Sequence, residues 1–531
     1  MSDDDGRYSG RSAVTARRKL EAQVIGNLTK EGEELRFSSD RTFLPPLGAP
    51  AVGLTSSELS AVLRPPSIAS SFDDSVYLGR AISTAAVPVR ADIDTLLTRH
   101  LAVLGASGQG KTHFVAGVLQ RLLAEGPNAR IVIFDVHDEY GAAFRSLEGV
   151  RLKETVLGRA PLGDVRDYLR IPYYALGRTG LARLILPSEK TQRPALNFAL
   201  QHLHRVESGG RDARLVGDPD GRFFDDCRAG GAGEAAEGLE RLKAGAGSAR
   251  RWPHMMAVAC LAAEWAALEP DTRHGWKRSA FNYGNVGWMV QRIRRLIEDT
   301  QFNRVIATEA SDDRGGAGLD MAHEGKQLVE RIFGGVGPVD WNVHIVSLKQ
   351  LPSDLSPHIL GSLLELFAEE LFDRGPGATH PTLLVLEEAH HYLRQIPGDV
   401  DTGMNSLAYE RLAREGRKFQ LSMLVSTQRP SEVSPTVLAQ CGSWVVFRLT
   451  NERDQAVVAS GTEHASRYAL GQIPGLARGQ AVTFGDAVPL AVKIQVCRPA
   501  PDHEPSSSDA KFAAMWKRHE EPSDPEHGAL G

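Results

Sequence analysis

The sequence predicts an α/β protein built on an open, largely parallel sheet, and three observations lead there. The first is a glycine-rich loop, Gly105-Ala106-Ser107-Gly108-Gln109-Gly110-Lys111-Thr112, which fits the phosphate-binding pattern G-x-x-x-x-G-K-[ST] at every fixed position. The second is its setting: the short apolar run His100 to Leu104 precedes it, and Lys111 to Glu125 follows with Phe114, Val115, Val118, Leu119, Leu122 and Leu123 on one helical face. The third is a recurrence of short apolar runs, each ending in polar residues, at Ile131 to Asp135, Val343 to Leu348, Thr382 to Leu386 and Leu421 to Thr427. Runs of this kind without polar alternation suit strands buried on both faces.

The loop's residue types follow from its chemistry. Glycines at 105, 108 and 110 let backbone N–H groups curl around phosphate oxygens without Cβ clashes, and the helix start adds positive dipole. Lys111 is expected to reach the β- and γ-phosphates and Thr112 to ligate Mg²⁺. His113 closes the nucleotide-binding stretch.

Composition sets wide bounds. A chain of 531 residues has room for two or three domains, and 42% hydrophobic with 24% charged residues is ordinary for a globular protein. No run approaches the ~18 apolar residues of a membrane helix, and the acidic start Met-Ser-Asp-Asp-Asp-Gly lacks a secretory core, so a cytoplasmic location is expected. Cys227, Cys260, Cys441 and Cys497 are too scattered for a metal-ligand pair or a disulfide framework. A net charge of −5 argues against a broadly basic surface, yet leaves room for nucleic acid in a locally basic channel.

In chain order, residues 1–22 are polar and expected to be mobile. Residues 23–90 break into short apolar pieces, Val24 to Leu28, Leu35 to Phe37, Val52 to Leu54 and Val76 to Gly79, which read as strands of a small N-terminal β-barrel. The nucleotide-binding core is placed at 91–497. Its second strand ends in Asp135-Val136-His137-Asp138-Glu139, carboxylates on the ligand edge of a parallel sheet or, for Asp138 and Glu139, a solvated turn. About 200 residues then separate this strand from Val343, far beyond a normal crossover, so a helical insertion is placed at about 150–335. Pro194 to Leu203, Met255 to Leu268 and Val286 to Ile297 are its helical patterns, around a Gly-rich middle from Ser208 to Gly247. Arg292, Arg294 and Arg295, near Trp288, read as a charged outer helix face or as nucleic-acid contacts.

Ser356-Pro357 reads as a helix start, with serine at the N-cap. The next strand delivers Glu387-Glu388-Ala389-His390. Two acids at a strand end point to different sides, so Glu387 is assigned to the metal through water and Glu388 to the attacking water. His390 and His391 lack the H-E-x-x-H order of a zinc helix. Gln428, after the strand Leu421 to Thr427, can sense the γ-phosphate, and the basic cluster Arg411 to Lys418 ahead of that strand either stabilises transition-state charge or is plain surface. Trp444 to Leu449 is a further strand, Gln480 to Phe484 and Val488 to Val496 a closing hairpin, and 498–531 a polar tail.

Together, Gly105 to Thr112, Asp135 to Glu139, Leu386 to His390, Glu415 to Phe419 and Ser426 to Pro430 resemble the HerA family of hexameric DNA-translocating ATPases, related to FtsK. The resemblance runs from about Val24 to Val496. It implies a RecA-like core with a helical insertion, an N-terminal β-barrel, a C-terminal brace, and a homo-hexamer with ATP and Mg²⁺ between subunits and double-stranded DNA in its pore. By position it makes Glu388 catalytic, Gln428 the sensor, Arg414 or Arg417 the arginine reaching a neighbour's site, and Arg99 a further nucleotide contact. Relatives of this kind work with a NurA-like nuclease or with another effector such as a sirtuin-like NADase. The motor reading therefore stands beside a second one, a ring-shaped scaffold that gates an antiviral effector without moving along DNA.

Overall fold

The computed structural model describes residues 24–506 except 33, 40–43, 47, 66–73, 83–85, 210–211, 216–221, 224–230, 245–248, 274, 315–317, 378–379, 394–407 and 462–466. The expected mobile start, the end of the tail and part of the Gly-rich middle lie outside these residues.

The centre is a sheet of 12 strands. In chain order they are β1 (Ser75–Ala81), β2 (Pro88–Asp92), β3 (Leu101–Leu104), β4 (Arg130–Asp135), β5 (Leu152–Leu157), β6 (Asp167–Leu169), β7 (Val343–Ser347), β8 (Thr382–Leu386), β9 (Leu421–Thr427), β10 (Ser443–Phe447), β11 (Gln480–Gly485) and β12 (Val492–Val496). Across the sheet the order is β2-β1-β12-β11-β10-β3-β9-β8-β4-β7-β5-β6. From β10 to β6 every pair is parallel, and the other four strands close that edge antiparallel.

Residue alternation explains why the parallel strands are apolar throughout. In β3, Leu101 and Val103 enter one core with Phe114, Val118 and Leu119 of helix α1 (Lys111–Glu125), while Ala102 and Leu104 enter the other. Helices α2 (Gly177–Ile185), α3 (Gln192–His202), α4 (Ala232–Ala244), α5 (Met256–Ala267), α6 (Ala280–Glu298) and α7 (Met321–Phe333) belong to the stretch between β6 and β7, and α8 (Ser356–Arg374) links β7 to β8. Ile359, Leu360, Leu363, Leu364 and Phe367 bury one face of α8 in the second core. α8 starts one residue earlier than Ser356-Pro357 suggests: Leu355 is its N-cap and Ser356 its first residue.

Three expectations change. Val76 to Gly79 lies in β1 and pairs with β12, so it is the rim of the central sheet, and no closed barrel is seen among the described residues. Ser75–Ala81 is buried almost throughout, as a strand covered on both faces must be. Asn27–Glu31 and Glu34–Ser38 do pair, but as a separate two-stranded hairpin, and Val52 to Leu54 forms no strand. The helical stretch also begins later than 150: Leu152–Leu157 and Asp167–Leu169 extend the parallel sheet. Lys153 and Glu154 interrupt the apolar run of β5 because the strand lies next to the sheet edge, where side chains reach water. Finally, the strand expected at Trp444 to Leu449 stops at Phe447, and the closing hairpin's second strand starts at Val492.

Arg292 donates to the Ile185 and Leu186 carbonyls, tying α6 to the end of α2, while Trp288 and Arg295 stay exposed. Cys260, Cys441 and Cys497 are buried thiols. Among the described residues no helix is long and apolar enough to cross a membrane.

Candidate nucleotide site at the sheet edge

The glycine-rich loop leaves β3 at the carboxyl edge of the parallel strands. Gly105, Gly108 and Gly110 have φ of +155°, +71° and +105°, conformations that side chains resist. Gly105 is also pressed against β10: a Cβ there would lie 2.5 Å from the Phe447 Cβ. Gly110 caps α1 without a side-chain hydrogen bond, so the first-turn N–H groups remain available to an anion. The loop is pinned outside as well, since Gly105 N–H donates to the Thr427 carbonyl at 3.2 Å and Gly479 N–H to the Gln109 carbonyl at 3.0 Å.

Lys111 is buried and donates to the Gly105 and Ala106 carbonyls at 2.8 and 3.2 Å. Burial lowers its pKa, and Glu388, Glu387 and Glu139 oppose that shift. Thr112 Oγ1 donates to Glu387 Oε1 at 3.3 Å. The two strand ends that bracket this point, β4 and β8, are hydrogen-bonded neighbours, so Asp135 and Glu387 emerge side by side.

The adjacent acids differ. Glu387 continues β8, is 3% exposed, and its Oε2 has no hydrogen-bond partner. Burial pushes its pKa well above the usual range, and Asp135, Glu388 and Glu139 push the same way. Glu388 turns out of the strand with φ 44° and ψ 47°, a left-handed conformation costing roughly 1–3 kcal/mol in a non-glycine residue and concentrated at functional sites. Burial would raise its pKa too, but His390, Lys111 and the Gln428 N–H outweigh it and hold the carboxylate below its ordinary value. His390 Nδ1 lies 3.3 Å from Glu388 Oε2 and 3.0 Å from Thr427 Oγ1. The Gln428 N–H donates to the same carboxylate oxygen at 3.4 Å. Because β9 lies between β3 and β8, Gln428 arrives between the loop and the acids.

Sequence reasoning weighed His390 only as a zinc ligand and gave it no part beside Glu388; that contact needs the turn that the left-handed residue makes. It also left Glu139 open as a solvated turn. Here Glu139 is half-buried and bonds Thr112, and burial raises its pKa first of all. Asp135 is fully buried and accepts the N–H groups of His137 at 3.2 Å and Tyr140 at 2.9 Å, which orders the turn carrying Glu139.

The three arginines lie elsewhere. Arg99, Arg414 and Arg417 line a cleft of about 490 Å³ with Gly442, Trp444 and Asp486. Arg99 precedes β3, Arg414 ends helix α9 (Ala408–Glu415), and Arg417 precedes β9, so all three sit at the amino edge of the parallel strands. At ~3.3 Å per residue, the four residues of β3 alone put roughly 13 Å between Arg99 and the start of the loop. Arg99 Nη1 bonds Asp486 Oδ2 at 2.9 Å, whereas Arg414 and Arg417 are exposed and have no ion pair among the described residues. His100 is the unforeseen organiser of this edge: buried, its ring bonds the Ala413 carbonyl at 2.8 Å and accepts the Met423 N–H at 3.1 Å, fixing the end of α9 against β9. A histidine before a strand carries no sequence signal of contacts more than 300 residues away.

Comparison with known proteins agrees with this geometry. Residues 76–220 match the family model "Helicase HerA, central domain", a span that holds β1, the loop and the Asp135 turn. The DNA double-strand break repair helicase HerA of Pyrococcus furiosus is 23% identical over 80% of this chain and 70% of its own length, and that of Sulfolobus acidocaldarius 24% identical over 95% and 84%. VirB4 of Thermoanaerobacter pseudethanolicus, at 14% identity and a TM-score of 0.50, covers 81% of this chain and 97% of its own, a likeness of fold. With the phosphate loop, its lysine and the paired acids converging at one sheet edge, these matches show a chain similar to HerA helicases over most of its length and make it an ATP-hydrolysing P-loop enzyme.

Proposed function

We propose that the chain is an ATP-driven DNA translocase or helicase acting as a homo-hexameric ring, with duplex DNA in the pore and a nuclease or other effector as partner. The observation that carries this reading is the separation of the arginines from the loop. A loop and acids at one sheet edge and, at the other, Arg414 and Arg417, without ion pairs among the described residues, make half a site twice over, and stacking one subunit's amino edge on its neighbour's carboxyl edge completes both halves. Repeated head-to-tail, such contacts generate a ring. The names of the curated relatives, DNA repair helicases, support DNA as the track.

Within one site, the loop N–H groups and Lys111 hold the phosphates. Glu388, kept anionic by His390 and the Gln428 N–H, accepts a hydrogen bond from the attacking water and orients it. Gln428 reports the γ-phosphate to β9, and a neighbour's Arg414 or Arg417, with Arg99, offsets developing charge. Mg²⁺ fits the residues present: Glu387 Oε2 is a buried carboxylate oxygen without a partner, and Thr112 Oγ1 is beside the same side chain. Thr112 and Glu387 would hold the ion, which neutralises phosphate charge when bound.

The test is the mass of the purified assembly together with its ATPase rate with and without duplex DNA over a salt series. A six-subunit ring whose hydrolysis rises with DNA at low salt, and loses that response as salt increases, is the expected result. A ring that binds its effector while its hydrolysis ignores DNA at every salt concentration replaces the motor by a scaffold.

A further inference from the structure

A second cleft, of about 880 Å³, opens on the same sheet edge as the phosphate loop but beyond β4. One wall is the turn between β5 and β6, which carries Arg159. Another is the segment after β7, which carries Lys349. The third is the short helix Thr300–Val305, which carries Arg304. All three cations are exposed, and none has an ion pair among the described residues. Among the described residues no carboxylate lines the cleft. Like charges gathered around one opening repel each other, and an anion relieves that repulsion.

The cleft is built rather than incidental. Gln350 clamps the two loops together, accepting the Arg159 N–H at 3.1 Å and donating to the Arg159 carbonyl at 3.2 Å. Gly158 permits this approach, since a Cβ there would stand 2.4 Å from Gln350 Oε1. Both walls also hang on the turn that carries Glu139. Leu348 N–H donates to the Asp135 carbonyl at 2.8 Å, and Arg166, at the base of the Arg159 turn, pairs with Asp138 at 2.8 Å. The cleft has no glycine-rich loop to wrap a polyphosphate, and its three charges come from three separate segments, which suits anions spaced along a chain.

We propose that Arg159, Arg304 and Lys349 bind the phosphodiester backbone of nucleic acid, so that two of the three segments holding the track, those of Arg159 and Lys349, are bonded directly to the turn beside Thr112. This rests on the DNA-motor reading above. The contacts are to phosphates and carry no sequence preference.

The experiment uses the full chain and the triple variant Arg159→Ala/Arg304→Ala/Lys349→Ala, titrated with a fluorescent 30-base-pair duplex over a potassium chloride series, and separately with a fluorescent ADP. The slope of log K against log salt should fall by about 3 for each subunit that engages the duplex, at ~0.9 per phosphate contact, and duplex affinity at moderate salt by at least about tenfold. Basal ATPase rate and ADP affinity should match the wild type. The double variant Arg304→Gln/Lys349→Gln keeps the Arg159 side chain and should lower the slope by about 2 for each subunit that engages the duplex. Unchanged slopes beside a wild type that binds DNA overturn this site while leaving the motor standing. A fall in ADP affinity with DNA binding unchanged assigns the cleft to a nucleotide and likewise overturns it. A wild type that binds no duplex at any salt overturns both.

Discussion

The two edges of the parallel sheet are built in opposite ways. At the carboxyl edge, Lys111, Asp135, Glu387 and Glu388 are all buried, and apart from Glu387 Oε2 each charged group meets a partner inside the chain. At the amino edge, Arg414 and Arg417 are exposed, without ion pairs among the described residues, beside an open cleft. Burial and close packing make the first edge a rigid, preorganised catalytic surface. The second is polar and exposed, and its charges are open to a partner's phosphates, as the proposed ring requires. The asymmetry teaches that one chain presents a buried acidic and phosphate-binding edge and an exposed basic edge, the arrangement on which the proposal of a site shared between subunits rests.

Removing the centre of the buried edge should have the largest effect. Lys111→Ala deletes the main side-chain cation on the phosphates and should lower the ATPase rate on the order of 10³-fold or more. Glu388→Gln should slow hydrolysis by roughly 10²- to 10⁴-fold while ATP still binds, leaving trapped nucleotide. If Glu387→Gln traps ATP and Glu388→Gln instead weakens Mg²⁺ binding, the two carboxylates exchange roles.

The exposed edge should respond differently. Arg414→Ala or Arg417→Ala should bind ATP with near wild-type affinity and hydrolyse it about 10³-fold more slowly, the scale of an arginine acting on a neighbour's phosphate. In mixed rings, a Lys111→Ala subunit with intact arginines should restore activity at an arginine-mutant neighbour's loop. Absence of rescue in rings of verified mixed composition would collapse the contrast between the edges.

Smaller effects report on the packing that holds the edges apart. Gly105→Ala forces a Cβ into the Phe447 side chain and should cost about 1–3 kcal/mol of stability, read by denaturant midpoint. His344, buried between β5 and α7, bonds the Ile332 carbonyl and Thr155, and burial lowers its pKa to about 4. A histidine kept neutral in the fold contributes its full stability above its unfolded pKa near 6.5, and that contribution is lost as pH falls from there to about 4. The loss is at most roughly 3 kcal/mol, and His344→Gln should flatten that part of the pH–stability curve.

Local sequence determined the elements whose causes are local. The glycine pattern of 105–112, the face of α1 and the apolar runs of β3, β4, β7, β8 and β9 follow from backbone freedom and burial periodicity, which neighbouring residues express without help from distant ones. The same holds for the acids, since a strand that ends in Glu387-Glu388 delivers them to its carboxyl edge wherever it lies in the sheet. Pairing was beyond reach. Val76 to Gly79 reads equally as a barrel strand or a sheet rim, and only its partner β12, more than 400 residues along the chain, decides. Lys153 and Glu154 hide β5 because an edge position, set by tertiary contacts, excuses polar residues in a strand. The placing of β9 between β3 and β8 brought Gln428 to Glu388, and the left-handed turn at Glu388 brought His390 to it. The distance between Arg99 and the loop it nearly adjoins in sequence was likewise a matter of tertiary structure: β3 runs straight between them, and an extended strand sets its two ends on opposite edges of the sheet.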